Sequence, residues 1–316
     1  MDLQTKIPLH EQESNQIDYN SKLFLLGSCF VENIGEKLGY YKFQSLQNPL
    51  GILFNPVVIE RLATNAINEK VYTEQDIFFN NERWHCYDAH SELSSESKEE
   101  LLHNLNSAIT ATKKQILEST HVMITLGTAW VYKHVETNRI VANCHKVPQK
   151  QFTKELLSNT AISKSLESIF SSIQAINPEA TVIFTVSPVR HLKDGFIQNQ
   201  RSKAHLLASV HDTIEKRDHC FYFPSYEIQM DELRDYRFYA EDMIHPNKTA
   251  MNYIWEKFKM VWIHEDAYGT MEEVSSIHKG LGHRPFNSNS KEYETFRQGL
   301  KRKQDKLFNA FPHIKF

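Results

Sequence analysis

The sequence predicts an α/β fold in which helices cover both faces of a mostly parallel sheet. Five short apolar runs have the length of buried strands, and two of them are rich in valine, isoleucine and threonine. The predicted strands are Leu23–Leu26, Tyr41–Leu46, Val122–Leu126, Val182–Val186 and Phe221–Phe223. Between and after them lie segments with helical spacing of apolar residues, such as Phe30, Ile34 and Leu38. Strands that alternate with amphipathic helices predict a parallel sheet.

The loops that follow these strands are the first place to look for a site. In a parallel sheet the ligand lies beyond the carboxyl ends of the strands. The four loops of interest read GSCF, LGTAW, SPVRH and PSYE. We expect them to share one rim.

The chain is predicted to form one large domain over residues 1–265 and a C-terminal appendage over residues 266–316. Within the domain, an insertion over about residues 71–118 is predicted to contain a hairpin followed by a helix from about Ser97 to Glu118. Residues from about Ala267 onward are predicted to be irregular until an amphipathic helix near Lys291–Phe308.

Composition argues against several classes of partner. The formal net charge is -3 and the two signs are interspersed, so neither nucleic acid nor a membrane surface is indicated. The sequence leaves partner proteins unknown. The four cysteines lie far apart and no CxxC pair occurs, which predicts free thiols in a reducing compartment. The polar N-terminus has no apolar stretch of signal-peptide type, so we expect a cytoplasmic protein.

Ser28 is the candidate nucleophile. It follows the first predicted strand and Gly27, and it begins a helix, so free backbone N–H groups and the positive end of a helix dipole lie beside it. A developing oxyanion would be stabilised there. Two alternatives remain open: Ser28 is only a helix N-cap, or the neighbouring Cys29 is the nucleophile.

Asp242 and His245 are the candidate orienter and base. A carboxylate three residues before a histidine, on a turn that leads into the last helix of the domain, can hold both side chains on one side of the backbone. Pro246 fits the first turn of that helix. The alternative is a solvent-exposed histidine among polar residues at the start of a helix, with no catalytic role.

Together these residues resemble the GDSL/SGNH hydrolase superfamily, and more closely the GSCFA family within it. The matching stretches extend from about Leu23 to Ile263 and read LGSCFVENIG, NPLGILFNP, TLGTAWVY, VANCHKVP and FPSYEIQMDELRDYRFYAEDMIHPN. The resemblance implies a three-layer α/β/α fold of flavodoxin-like SGNH type and ester hydrolysis through an acyl-enzyme intermediate. It assigns Ser28 as nucleophile, His245 as base and Asp242 as its orienter. We expect neither a cofactor nor a metal.

The oxyanion hole departs from the superfamily pattern. The resemblance implies donors from the backbone N–H groups of Ser28 and Gly51 and from an asparagine side chain in a GxN block. Here that block reads Gly127-Thr128-Ala129, so the asparagine is missing. Thr128 or Asn143 is a candidate replacement. Loss of one such donor costs on the order of 100-fold to 1,000-fold in rate.

Four further residues are candidate substrate contacts: Trp130, His145, Arg190 and Tyr226. Arg190, like its neighbour His191, follows the fourth predicted strand, and its guanidinium could bind an anionic substrate. The pair His145-Lys146 could recognise an anionic or carbohydrate group. Core packing of the aromatic residues and a surface salt bridge for Arg190 are the alternatives.

The sequence predicts a serine esterase-type hydrolase that acts on a small-molecule or carbohydrate ester, with an acetyl group as one candidate acyl group. Three other functions stay open: acyl transfer with the same triad, ligand binding without turnover, and metal-dependent hydrolysis by some of the 16 histidines. The histidines show no metal-ligand spacing, which argues against the last.

Overall fold

The computed structural model describes residues 5–316. The strands are β1 (Lys22–Gly27), β2 (Gln44–Gln47), β3 (Ile77–Asn80), β4 (Arg83–Cys86), β5 (His121–Leu126), β6 (Trp130–His134), β7 (Arg139–Val141), β8 (Phe152–Leu156), β9 (Thr181–Val186) and β10 (Cys220–Phe223). The helices are α1 (Cys29–Tyr40), α2 (Pro56–Ile67), α3 (Lys98–Glu118), α4 (Asn159–Ile176), α5 (Phe196–Ile214), the single turn α6 (Ser225–Glu227), α7 (Lys248–Trp262), α8 (Asp266–Leu281) and α9 (Lys291–Ala310).

The central sheet has five strands in the order β10-β9-β5-β1-β2, and every pairing in it is parallel. The predicted α/β fold class is therefore confirmed. Because all five strands run the same way, their carboxyl ends meet at one edge. The loops after β1, β5, β9 and β10 share that edge, as the sequence predicts.

Two apolar clusters explain why the sheet is buried on both faces. Alternate residues of β1 point to opposite sides: Phe24 and Leu26 pack with α2 to α5, whereas Leu23 and Leu25 pack with α1 and α7 to α9. Strands buried on both faces read as continuous apolar runs, which is why β1, β5 and β9 are visible in the sequence. The sheet lies between two helical layers and carries the site at one edge.

Two predicted elements are wrong in part. The second strand was expected from Tyr41, but Tyr41 is the C-cap of α1, Lys42 has a positive φ of 64°, and the strand begins only at Gln44. The segment after Ala267 was expected to be irregular. Instead α8 forms there, because Ala267, Met271, Val274 and Ile277 lie along one buried face.

A second layer of β structure lies beside the sheet. The predicted hairpin is confirmed as β3 and β4. A three-stranded antiparallel sheet in the order β7-β6-β8 follows the LGTAW loop, and the sequence did not indicate it. It matters for function because β6 begins at Trp130, on the rim.

Candidate active site

Gly27 makes the turn between β1 and α1 possible. Its φ is +135°, and a Cβ there would overlap the carbonyl oxygen of Thr125 on the neighbouring strand. A side chain is therefore excluded at this position by both backbone angle and space. The turn brings residue 28 to the carboxyl edge of the sheet, directly before α1.

Ser28 lies deep in this turn. Only 1% of it is exposed, and its backbone N–H donates to Thr125 O at 3.1 Å, which continues the sheet pairing. It occupies the N-cap position of α1, but its side chain makes no capping hydrogen bond. Within residues 5–316, its buried Oγ has no hydrogen-bond partner. An unpaired buried hydroxyl is costly, so the capping interpretation does not account for this serine.

Cys29 is the more accessible of the two nucleophile candidates. It is the first residue of α1 and is partly exposed. Burial raises the pKa of its thiol, and Glu32 adds to that increase, whereas the backbone N–H groups of Cys29 and Phe30 and the ammonium of Lys203 act in the opposite direction. The start of α1 and the Lys203 ammonium therefore both lower the pKa of the Cys29 thiol, against the effect of burial.

Asp242 and His245 form the predicted pair. His245 Nδ1 lies 2.6 Å from Asp242 Oδ2, and Asp242 Oδ1 accepts the backbone N–H groups of Ile244 at 2.9 Å and His245 at 3.0 Å. These hydrogen bonds lower the pKa of Asp242 to about 2, so the carboxyl group is ionised at any working pH. Arg190 N donates to Ile244 O at 3.2 Å and connects this turn to the loop after β9.

The hydrogen bond expected between Ser28 and His245 is not formed, because Ser28 Oγ has no partner among the described residues. Both side chains of the Asp242–His245 pair are about half exposed, at 46% and 50%. Nucleophile and base contacts are often looser without substrate. The roles of the three residues stay predictions.

His191 and Lys203 stand between the loops after β5 and β9. Lys203 is fully buried and its Nζ donates to Gly127 O at 2.8 Å and to Ser187 O at 2.7 Å. Burial lowers the pKa of Lys203 to about 7. Burial also lowers the pKa of His191 to about 3, with smaller contributions from Lys203 and His245, so this imidazole is neutral. Its Nε2 is buried and has no partner within the described part of the chain.

The sequence analysis did not assign a role to either residue. Lys203 could have been found from its spacing, since it lies on the same helical face as Leu206 and Val210, where a lysine is unexpected. His191 carried no such signal. Its burial depends on Gly127, because a Cβ on that glycine would lie 3.1 Å from His191 Nε2.

Two of the predicted oxyanion donors, the N–H groups of Ser28 and Gly51, are occupied. Gly51 N–H donates to Asn48 O at 2.8 Å, as Ser28 N–H does to Thr125 O. Thr128 Oγ1 accepts Trp130 N–H at 3.1 Å and shares a hydrogen bond with Ser202 Oγ. The Oδ1 of Asn143 accepts the N–H of His145. The expectation that the N–H groups of Ser28 and Gly51 are free donors is therefore wrong for this structure, because local structure already uses them.

The predicted substrate contacts separate into two groups. Trp130 lines a cavity of about 350 Å³, and Arg190 lies on the surface with its guanidinium 4.1 Å from the ring centre of Tyr239. His145 and Tyr226 are only 3% and 5% exposed; His145 Nε2 bonds Cys86 O, and Tyr226 donates to Gln200 Oε1. The prediction that these last two contact substrate is wrong, since both are packed inside the protein.

The cavity adjoins the rim through Phe54. The Phe54 ring lines it and lies 6.0 Å, centre to centre, from the His191 ring, while Phe54 O accepts the N–H groups of Gly127 and Thr128. Two lysines of the cavity, Lys146 and Lys193, approach it from different loops. Phe54 thus forms part of the cavity wall and also contacts the rim at His191.

No group of three or more histidine, cysteine, aspartate or glutamate side chains could hold a metal ion within residues 5–316. Across the same residues, no helix combines the length and the apolar character needed to cross a membrane.

The model of the GSCFA family matches residues 22–258, most of the chain, and thus both the Ser28 turn and the Asp242–His245 turn. The chain belongs to the GSCFA family. A second model, described as the C-terminal domain of GSCFA domain proteins, matches residues 274–316 of this GSCFA protein. Comparison with curated proteins finds no match.

Two solved structures cover most of the GSCFA chain at low identity. A carbohydrate esterase family 3 from Talaromyces cellulolyticus is 8% identical, over 81% of this chain and 99% of that one, with a TM-score of 0.37. A family two carbohydrate esterase from Clostridium thermocellum, in complex with cellohexaose, is 12% identical, over 84% of this chain and 66% of that one, with a TM-score of 0.37.

Proposed function

We propose that the protein is an esterase-type hydrolase in which Ser28 attacks the ester carbonyl, His245 accepts the Ser28 proton and Asp242 orients His245. The observation that carries the proposal is the 2.6 Å contact between His245 Nδ1 and Asp242 Oδ2. It assigns the Nδ1 proton to the carboxylate side and leaves Nε2 to accept a proton. Asp242 then stabilises the imidazolium that forms.

The reaction also requires stabilisation of the oxyanion, and the start of α1 supports this step. The first N–H groups of a helix have no acceptor within the helix, and those of Cys29 and Phe30 begin α1 beside Ser28. We expect these two N–H groups to bind the oxyanion in place of the N–H groups of Ser28 and Gly51, which donate to Thr125 O and Asn48 O. His191 is neutral, and its Nε2 has no hydrogen-bond partner within the described residues. This ring nitrogen is therefore a further group that can form a hydrogen bond close to His245.

Cys29 is the competing nucleophile within the same proposal. Its partial exposure favours it, because Ser28 Oγ is buried. With Cys29 the reaction would pass through a thioester and use the same base. The two residues differ in one measurable way, since only the true nucleophile carries the acyl group.

Ligand binding without turnover is the second candidate function. The unformed bond from Ser28 to His245 and the occupied N–H groups of Ser28 and Gly51 favour it. The substrate or ligand in either case is proposed to be a small-molecule or carbohydrate ester. The four free cysteines support the cytoplasmic location expected from the sequence.

The test is hydrolysis of p-nitrophenyl acetate by the full chain and by Ser28→Ala, Cys29→Ala and His245→Ala, with intact-protein mass spectrometry after rapid acid quench. Loss of turnover and of the acetyl adduct in Ser28→Ala, with both retained in Cys29→Ala, is the expected result. The reverse pattern assigns the nucleophile to Cys29. No adduct and no turnover in the folded wild-type protein would leave ligand binding as the function.

A further inference from the structure

The cavity beside the rim combines aromatic walls with unneutralised positive charge. Its volume is about 350 Å³, within the range of small-ligand sites. Trp130, Tyr132 and Phe152 supply ring surface, and no aspartate or glutamate lines it. A flat apolar wall and a cationic mouth suit a ring that bears an anionic group.

The two cationic side chains of the cavity come from separate loops. Lys146 and Lys193 are both exposed at the cavity, and among the described residues neither forms an ion pair. The nearby Lys154 differs, because it pairs with Asp194. Tyr132 and, less strongly, Asp194 raise the pKa of Lys193, so its ammonium is partly balanced and the Lys146 ammonium is the freer of the two. Two ammonium groups over low-dielectric walls attract an anion more strongly than two dispersed surface charges would.

The loop that carries Lys146 is held in a strained conformation. His145 and Lys146 both have positive φ, at 49° and 57°, which is uncommon for residues other than glycine. Asn143 Oδ1 accepts His145 N–H at 2.8 Å, His145 Nε2 bonds Cys86 O at 2.8 Å, and Asn80 Nδ2 donates to His145 O at 3.0 Å. These contacts fix the loop so that Lys146 and the amide of Asn143 face the cavity.

The aromatic wall is fixed as well. Trp130 Nε1 donates to Gln198 O at 3.2 Å, which holds the indole in place where β6 begins. Phe54 separates the cavity from His191. A ring held against Trp130 could therefore extend a substituent past Phe54 to the Ser28 and His245 side of the rim.

We propose that this cavity is the binding subsite for a sugar ring that carries a carboxylate or a phosphate, with Lys146 and Lys193 as the anion-binding side chains. The proposal deepens the proposed function, because it names the substrate class of that site: an ester of an acidic sugar. Trp130 packs against the ring, and Asn143 donates a hydrogen bond to it.

The test is calorimetric binding to the full chain of three rings that differ only in the group at C6: glucose, glucuronate and glucose 6-phosphate. We expect an acidic ring to bind at least about tenfold more tightly than glucose and to weaken as salt rises from about 50 to 500 mM. Preference for glucuronate identifies a carboxylate site, and preference for glucose 6-phosphate a phosphate site. Equal binding of all three rings, or no binding of any, overturns the proposal.

Matched lysine variants make the test specific. Lys146→Met and Lys193→Met should each weaken binding of the acidic ring by about fivefold or more and leave glucose unchanged. Lys150→Met is the control, since Lys150 is exposed in the neighbouring turn and does not line the cavity. An equal loss in Lys150→Met would show a diffuse charge effect and overturn the subsite.

Binding and turnover can fail separately. Hydrolysis of p-nitrophenyl acetate, which is small and neutral, by the wild-type chain measures turnover separately from ring binding. Acidic-ring binding without any hydrolysis supports the subsite and contradicts only the hydrolase proposal. Hydrolysis together with charge-independent ring binding contradicts only the subsite.

Discussion

His245 Nδ1 and Asp242 Oδ2 lie 2.6 Å apart on one turn of backbone, and that turn also donates two N–H groups to the same carboxylate. The carboxylate is thus held from three directions, and its pKa falls to about 2. This arrangement makes the role of Asp242 testable without disturbing the core, since the side chain is half exposed.

The first prediction is that Asp242→Asn lowers kcat for an acetyl ester by about 100-fold to 10,000-fold. The amide removes the charge that stabilises the imidazolium and favours the wrong tautomer of His245. Steady-state hydrolysis of p-nitrophenyl acetate measures it. Glu241→Gln, a change of the exposed neighbouring acid, is the control and should keep wild-type kcat. Equal rates for wild type and Asp242→Asn would contradict the role.

The second prediction concerns the charge state of His191. Because burial lowers its pKa to about 3, the ring should stay neutral from pH 5 upward. An unfolded histidine takes up a proton near pH 6.5, so stability from this residue is present above that pH and is lost as pH falls toward 3. Two-dimensional ¹H–¹⁵N spectra of the histidine rings, assigned with His191→Phe, measure the titration. A ring that titrates near pH 6.5 would refute the prediction.

The third prediction uses the buried ammonium of Lys203. Its folded pKa of about 7 lies below the ordinary value of 10.5. Between these two pH values Lys203 is protonated in the unfolded chain and has lost its proton in the folded chain. Stability should therefore rise with pH across that window, by about 2 kcal/mol from pH 7.5 to 9.5. Urea unfolding of wild type and Lys203→Met gives the difference, and Lys216→Met, on the surface, is the control. The same pH dependence in wild type and Lys203→Met would rule it out.

The fourth prediction is that Gly27→Ala destabilises the protein by about 2 to 4 kcal/mol. The added Cβ meets the main chain at Thr125 and must occupy a φ of +135°. Gly39→Ala is the matched control in α1, where a Cβ meets nothing within 4 Å, and it should be neutral or slightly stabilising. Thermal unfolding of both variants measures the contrast. Comparable midpoints would mean that the turn tolerates a side chain.

The sequence predicts what depends on local patterns. The strands β1, β5 and β9 are buried on both faces and read as continuous apolar runs, and Asp242 and His245 lie three residues apart on one turn. Contacts between distant residues leave no such pattern. Lys203 meets Gly127 across 76 residues. The bond from Gly51 N–H to Asn48 O is local instead, and Asn-Pro-Leu-Gly is a sequence typical of such a turn. The β6 to β8 sheet was missed because its strands are short and half exposed.

The helix that presents Ser28 rests on the end of the chain. Phe30 and Ile34 of α1 belong to the same apolar cluster as Leu307 of α9 and Ile314, which is 1% exposed. The last residues lie near the C-terminal end of α1, where the Lys42 ammonium is 5.2 Å from the ring centre of Phe316 and the Phe316 ring contacts His278. The C-terminal segment therefore supports α1 from the end opposite to residues 28 and 29, so loss of Ile314 would loosen the packing of the helix that carries the candidate nucleophiles, far from the candidate site.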